Sequence, residues 1–275
     1  MANSDKYVVT IAKYAERATV RSDVYLNYQL YQQPDDEIGM DYFVWVVRNA
    51  ERTVVIDTGF SRHGGESRRR TLLINVPDLY PRLDVDPGTS PTVILTHAHY
   101  DHIGNLAYFP TSPVVLARRE YDFWVGRHAH HPLFHHSVDD GDLAHLSEVV
   151  QSGRVQFFEG RHWVAPGIEV LEVGGHTPGQ SVVKVATSAG IVLLASDAVH
   201  YYEELEQDMP FSSVADLVGM YAGFDTIRSM VASGEVDHVV SGHDPDTLSR
   251  FTSVGGELAG LVATIGSSAE TGALR

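Results

Sequence analysis

Four potential metal ligands lie within six consecutive residues. Residues 97–102 read HAHYDH and supply three imidazoles and one carboxylate directly after a short apolar run. A strand would carry the chain to this point and a tight turn would present the side chains. His97 and His99 can point the same way from an extended segment, with Asp101 and His102 following. Nitrogen and oxygen ligands suit Zn, Fe(II), Mn or Co. Because this one turn offers four ligands, which is more than one ion needs, we expect a two-metal site.

Three further candidate ligands lie later in the chain. His176 stands in the turn-forming sequence GGHTPG, while Asp197 and His243 each follow an apolar run. Each is weak evidence alone, since an Asp at the end of a strand is commonly a turn residue. Taken together with residues 97–102, they complete a ligand set of imidazoles and carboxylates.

The composition excludes several classes of function. The 275 residues carry a formal charge of −16, which argues against nucleic acid and anionic membranes as partners. The chain has no Cys, so any metal must be held by His, Asp or Glu. No apolar run is long enough to cross a bilayer, and the N-terminus does not have the pattern of a signal peptide. We therefore expect a cytoplasmic protein with one domain over residues 1–275 and a tail at 267–275 that frays.

The apolar pattern predicts strands interleaved with helices, and hence sheets covered by helices. The expected strands are 42–47, 53–56, 92–95, 114–117, 155–158, 168–173, 181–186, 191–195 and 238–240. The expected helices are 118–125, 142–150 and 213–231, the last opened by a capping box of Ser213 and Asp216. A faint repeat is also present: two hairpins end at Asp57 and Asp197, and each precedes a strand that leads to a His. Such a repeat would bring these residues to one shared edge.

The order of these motifs resembles the metallo-β-lactamase superfamily. The resemblance covers about Tyr42 to Asp244 and implies an α/β fold, an αββα sandwich of two mixed β-sheets flanked by helices. It implies two divalent metal ions, foremost Zn²⁺, with Fe, Mn or Co as alternatives. By resemblance, one metal is held by His97, His99 and His176, the other by Asp101, His102 and His243, with Asp197 bridging and Asp57 orienting a ligand.

Within that superfamily the chain looks most like the N-acyl homoserine lactonases. This resemblance implies that a lactone ring is opened by a hydroxide that bridges the metals, with Asp101 carrying a proton to the leaving oxygen. Many such lactonases have a Tyr three residues after the bridging Asp, where this chain has His200 followed by Tyr201. Either of these two residues is a candidate donor to the substrate carbonyl. The alternative is a glyoxalase II-like thioesterase, although the segment after His243 lacks the Lys residues expected for binding glutathione.

Three other segments are not part of this ligand set. The His-rich segment 127–136 is expected to be a solvated loop, or else to bind a stray metal or line the mouth of a pocket. The acidic stretch Glu203–Asp208 is expected to be a solvated face. The aromatic segment 25–31 is either a homodimer surface or a strand packed on the core.

Overall fold

Two mixed β-sheets lie face to face in the computed structural model, which describes residues 5–266. The strands are β1 (Val8–Val20), β2 (Glu37–Arg48), β3 (Thr53–Ile56), β4 (Thr71–Leu72), β5 (Thr92–Ile94), β6 (Val114–Ala117), β7 (Val155–Phe158), β8 (Arg161–Ala165), β9 (Ile168–Glu172), β10 (Ser181–Thr187), β11 (Gly190–Ser196), β12 (His238–Ser241), β13 (Thr252–Ser253) and β14 (Val262–Ile265). The tail at 267–275 lies outside the described residues.

The helices connect and flank the sheets. They are α1 (Arg21–Val24), α2 (Arg62–Ser67), α3 (Val76–Leu79), α4 (Tyr100–Ile103), α5 (Arg118–Trp124), α6 (Pro132–His135), α7 (Asp140–Gln151), α8 (Tyr202–Gln207) and α9 (Leu217–Ala232). Short 3-10 turns lie at Tyr28–Tyr31, Tyr80–Leu83, Pro87–Thr89, Leu106–Tyr108, Arg127–His130, Leu248–Arg250 and Gly256–Leu258. Within residues 5–266, no helix combines the length and apolar character needed to span a membrane.

Each sheet contains both parallel and antiparallel pairs. The larger sheet runs β13-β14-β1-β2-β3-β5-β6-β7, with β4 paired to β1, and the smaller runs β12-β11-β10-β9-β8. The hairpin β2–β3 is followed by β5 parallel to β3, and the hairpin β10–β11 by β12 parallel to β11. The repeat expected from the sequence is therefore present as the same three-strand unit in the two sheets.

The alternation of side chains along the central strands creates the layers. In β2, Phe43 and Trp45 enter the core between the sheets, while Val44 and Val46 pack on the opposite face beneath helices. In β11, Leu194 faces the other sheet and Leu193 packs with α9 residues on the outer face. Both faces of both sheets are thus covered. The expected αββα sandwich is confirmed.

Helix α9 begins later than the sequence pattern predicts. Asp216 is its N-cap and accepts a hydrogen bond from Gly219 N at 3.0 Å, so the predicted start at Ser213 is wrong. The residues before it are bound elsewhere: Ala215 N donates to the carbonyls of Gly175 and His176 at 3.0 and 3.1 Å. Asp216 is the N-cap itself, so the expected capping box with Ser213 at its start is wrong, and the segment 213–215 instead supports the loop that carries His176.

The aromatic segment 25–31 folds inward and contains no strand. Tyr25 and Tyr28 are buried, 1% and 4% exposed, and their rings stack 5.9 Å apart. Leu30 is the exposed apolar side chain of the segment. Because Tyr25 and Tyr28 are covered by the same chain, they form no exposed aromatic patch, and the homodimer itself stays a prediction.

Candidate metal centre

The seven candidate ligands converge at one edge of the sandwich. His97 follows β5, Asp197 follows β11 and His243 follows β12, so three strand ends meet there. His176 comes from the loop between β9 and β10. The side chains of all seven are buried: His97, His99, Asp101, His102, His176, Asp197 and His243.

The ligand atoms form two groups, and within each group they lie within 4.8 Å of one another. The first group contains His97, His99, His176 and Asp197, and the second contains Asp101, His102 and His243. In the first, His176 Nε2 lies 2.9 Å from His99 Nδ1. In the second, the two oxygens of Asp101 lie 3.8 Å from His102 Nε2 and 3.9 Å from His243 Nε2. Each group has the size and the nitrogen and oxygen donors that one transition-metal ion requires.

Asp197 faces both groups. Its Oδ2 lies 3.3 Å from His176 Nε2 and 3.7 Å from His97 Nε2. Its Oδ1 lies 3.2 Å from His102 Nε2 and 3.1 Å from His243 Nε2. The carboxylate can therefore serve two ions at once, one through each oxygen.

Hydrogen bonds on the far side of the rings fix their orientation. The Nδ1 of His176 donates to Ser213 O at 2.7 Å, and the Nδ1 of His243 donates to Asp41 O at 2.7 Å. Each bond leaves Nε2 unprotonated and aimed at the centre, as metal-bound imidazoles require.

Several of the atoms that would bind a metal have no hydrogen-bond partner. Among the described residues, buried atoms without a hydrogen bond include Nε2 of His97, His102 and His243 and Oδ1 of Asp197. Such atoms are costly to bury unless another group satisfies them. Burial also lowers the pKa of His176 to about 3 and lowers that of His97 and His99, so these rings are neutral at pH 7 and ready to bind a cation. The residues fit two cations.

Asp57 lies where the sequence predicts an orienting carboxylate. Its Oδ2 accepts from His102 Nδ1 at 2.7 Å and from Thr96 Oγ1 at 2.7 Å, while Oδ1 accepts from Thr96 N at 2.8 Å. Its backbone is left-handed, with φ 58°, a conformation that Asp tolerates better than most residues. The turn after β3 thus aims the carboxylate at the ring of His102 and at the start of the ligand loop.

Glu120 was missed by the sequence analysis. This buried side chain accepts from Ala98 N at 2.9 Å, between the two His of the first motif. It also accepts from Thr177 Oγ1 at 2.7 Å and Gly179 N at 2.9 Å, beside His176, and from Trp124 Nε1 at 2.7 Å. A Cβ at position 179 would lie 2.4 Å from Glu120 N, so the close approach requires glycine. One carboxylate therefore ties together the two ligand loops, and no local motif marks it.

His200 lies beside the centre rather than in its cavity. Its ring is completely buried and stacks on Phe211 at 3.8 Å. Nε2 is 3.2 Å from Asp197 Oδ2, and Nδ1 is 3.2 Å from Oε1 of Glu204. Burial lowers the pKa of His200, but the two carboxylates outweigh it and raise this pKa to about 9. Phe211 covers the ring in the described geometry, and the expected contact with a substrate carbonyl stays a prediction.

Tyr201 points away from the centre. Its hydroxyl donates to Gly39 O at 3.0 Å, and its ring packs 5.7 Å from that of Tyr25. Because this hydroxyl is already bonded to Gly39 O, the expected carbonyl contact is not present in the described geometry and stays a prediction. The interpretation of 203–208 as a solvated face also fails in part, since Glu204 is fully buried against His200. His200 precedes helix α8 and Glu204 lies in its first turn, where it also accepts from His200 N at 3.0 Å. A Glu in the first turn of a helix that reaches back to a preceding residue is the signal that could have revealed the pair.

Two cavities meet at the metal centre. One, of about 270 Å³, is bounded by His99, Asp101, His176 and Asp197, with arginines on its outer wall. The other, of about 260 Å³, shares His99 and His176 and is lined by the apolar side chains Leu26, Phe123, Trp124, Leu133, Phe134 and Val214. His136 borders both, so the His-rich segment contributes one residue to the cavity mouth, while His128, His130 and His131 are exposed.

Known proteins resemble this chain in sequence and in fold. The chain is 24% identical over 228 residues to an N-acyl homoserine lactonase of Bacillus sp, covering 77% of this chain and 81% of that protein. The crystal structure of a quorum-quenching N-acyl homoserine lactone lactonase superposes with a TM-score of 0.73 at 20% identity, covering 89% of this chain and 94% of its own. AidC, a dizinc quorum-quenching lactonase solved with a product, gives a TM-score of 0.69 at 17% identity, with 97% and 99% covered.

A family model provides the broader assignment. The model of the metallo-beta-lactamase superfamily matches residues 39–243, which include every candidate ligand. This extent of match shows that the chain belongs to the metallo-beta-lactamase superfamily.

Proposed function

We propose that this protein is a metal-dependent hydrolase that opens a lactone ring, an N-acyl homoserine lactone or a related small lactone. The observation that carries the proposal is the placement of Asp197, whose two oxygens each face a separate group of imidazoles. The names of the relatives support a lactone as the substrate class. With acyl homoserine lactones as substrates, the reaction would be quorum quenching.

The proposed ligand assignment follows from the two groups. His97, His99 and His176 would hold one divalent cation, and Asp101, His102 and His243 the other, with Asp197 shared. The dizinc relative favours Zn²⁺, and Fe, Mn or Co would suit the same donors. When bound, two such cations lower the pKa of a water and polarise a carbonyl.

The remaining steps belong to residues of this chain. The apolar cavity beside Trp124 would bind an acyl or alkyl group of the substrate and exclude water from it. Asp101 borders the other cavity and is 7% exposed, so its carboxylate can reach a bound substrate. We propose that it carries the proton from the attacking water to the leaving ring oxygen, a general acid–base role typically worth about 10²–10⁴-fold in rate.

The first prediction concerns metal content and reaction class. We expect two divalent ions per chain in active protein, complete loss of turnover on chelation, and recovery when metal is restored. Elemental analysis should be paired with a panel of acyl homoserine lactones, simple γ-lactones and glutathione thioesters. Lactones should be opened faster than the thioesters. Active protein with a single ion would contradict the dinuclear site, and a preference for thioesters would favour the glyoxalase II-like alternative.

The second prediction separates His200 from Tyr201. Since His200 contacts Asp197 and Glu204, we expect it to position the shared carboxylate, and His200→Ala should weaken metal binding by about 10–100-fold. Tyr201→Phe removes only the bond to Gly39 O and should cost about 1 kcal/mol of unfolding free energy with metal affinity unchanged.

The measurement for this pair is a competition titration with a metal chelator. His200→Gln serves as the conservative variant, since an amide can restore one of the two contacts. If His200→Ala keeps full metal affinity and loses only kcat, the residue acts on the substrate and not on Asp197.

A further inference from the structure

Three arginines line the cavity in front of the metal centre, in a protein whose net charge is −16. They are Arg17, Arg68 and Arg70, and they share this wall with Tyr42 and Tyr100. In an acidic protein, a local cluster of guanidinium groups beside a catalytic centre creates a field that attracts anions there.

The three arginines differ in how they are paired. Arg17 has a carboxylate partner, Asp23, at 3.5 Å. Arg68 donates to the carbonyls of Val138 at 2.7 Å and His136 at 3.2 Å and lies 4.1 Å from the Tyr100 ring. Its guanidinium is therefore held in place by neutral groups.

Arg70 is held by neutral groups as well. Its Nε donates to the Tyr100 hydroxyl at 3.1 Å and its Nη1 to Arg68 O at 2.7 Å. Within residues 5–266, no carboxylate forms an ion pair with Arg68 or Arg70, and Nη2 of Arg70 has no hydrogen-bond partner. A half-buried, fixed guanidinium with a free donor is suited to bind an oxyanion.

The acidic groups nearby do not remove this charge. Asp142 interacts electrostatically with Arg68 but forms no ion pair with it. Asp101 interacts in the same way with Arg70, but it belongs to the proposed ligand set and would be neutralised by a cation. With both cations bound, the wall that contains Arg68 and Arg70 would carry a net positive charge, and it lines the same cavity as the candidate ligands.

We propose that the substrate of this enzyme carries an oxyanion, a carboxylate or a phosphate, next to the bond that is cleaved, and that Arg70 binds it. Arg68 steadies Arg70 through its carbonyl oxygen. The inference rests on the proposed lactone hydrolysis and makes its substrate class narrower: an apolar group occupies the cavity beside Trp124 and an anionic group the cavity beside Arg70.

The test uses three γ-butyrolactones that differ at one ring carbon, which carries a primary amide, a carboxylate or a phosphate. For the metal-loaded wild-type protein, kcat/KM should be higher for an anionic lactone than for the amide. Arg70→Gln should lower this ratio by about 10- to 100-fold, the effect expected of one charged hydrogen bond. Comparison of the carboxylate and phosphate arms identifies the anion.

The matched control is Arg119→Gln. Arg119 is exposed, pairs with Glu172 at 3.7 Å and does not line the cavity, so this variant changes the net charge equally. Its ratio of kcat/KM values should equal that of the wild type. An equal fall in both variants would assign the effect to overall charge and would overturn the role of Arg70.

A second measurement does not depend on turnover. Calorimetric titration of the metal-loaded protein with inorganic phosphate and with glutarate should show binding that weakens by about 10-fold or more in Arg70→Gln. If lactones are opened but neither the ratio nor anion binding changes in this variant, the anionic substrate is disproved and lactone hydrolysis stands. If no lactone is opened, the proposed function fails, and the titration alone decides whether Arg70 binds an anion.

Discussion

Replacing Asp197 by Ala should remove one or both metal ions and lower kcat/KM by about 10³-fold or more, since a catalytic metal supplies several kcal/mol of stabilisation to the transition state. The reason is geometric: Oδ1 lies 3.1 Å from His243 Nε2 while Oδ2 lies 3.3 Å from His176 Nε2. No other described carboxylate lies between the two imidazole groups. Loss of this side chain also leaves His102 and His200 without a charge that each of them faces at 3.2 Å.

The measurement is metal content per chain together with kcat/KM on one lactone. Asp225→Ala is the matched control, because Asp225 is exposed and, among residues 5–266, its ion pair is with Arg228 at 3.2 Å. It should retain both ions and full activity. A protein with Ala at position 197 that still holds two ions and turns over normally would show that the carboxylate is not shared.

The convergence of the candidate ligands was predictable because strand ends carry them. Residues that follow parallel strands meet at one edge of a sheet, so the apolar runs bring Asp57 close to His97 in the larger sheet and Asp197 close to His243 in the smaller one. The face-to-face packing of the two sheets then brings these pairs together. His176 required the additional signal of a glycine-rich turn. The motif at residues 97–102, together with the ends of the apolar runs, therefore predicted most of the candidate ligands.

The supporting residues could not be predicted in the same way. Glu120 contacts residues that are 22 and 57 positions distant in sequence, and its own neighbours form an ordinary helix. Arg70 acquires its place through contacts with Tyr100, thirty positions later. Such contacts depend on how loops pack, and periodicity along the chain does not record that packing.

The longest strand was also missed. β1, at Val8–Val20, pairs with β2 and β14, but a bulge between Lys13 and Ala15 breaks its two-residue alternation. Charged side chains toward its end further obscure the pattern. Because Tyr14 lies in this strand and donates to Asp101 O at 3.3 Å, the missed element supports the centre directly.

Replacing Glu120 by Ala should lower the free energy of unfolding by about 3–5 kcal/mol, a loss typical of breaking a buried polar network. The substitution leaves four buried hydrogen-bond donors without an acceptor. Each unsatisfied donor costs about 1–3 kcal/mol, although the costs do not add fully. They belong to Ala98, Trp124, Thr177 and Gly179. Because these donors flank His99 and His176, metal affinity should fall as well, by about 10–100-fold.

Denaturant unfolding of the chelated and metal-loaded forms separates the two effects. Glu148→Ala is the control, since the Glu148 side chain is exposed and pairs with His145, and it should change stability by less than about 0.5 kcal/mol. Glu120→Gln should be intermediate in the chelated form, because the amide oxygen can accept from two of the donors while its NH₂ opposes the others. If Glu120→Ala unfolds like the wild type without metal but binds metal weakly, the carboxylate orders the ligand loops without stabilising the fold. If both properties are unchanged, the two loops are held by other contacts, and the link between the first motif and the His176 loop is not made by Glu120.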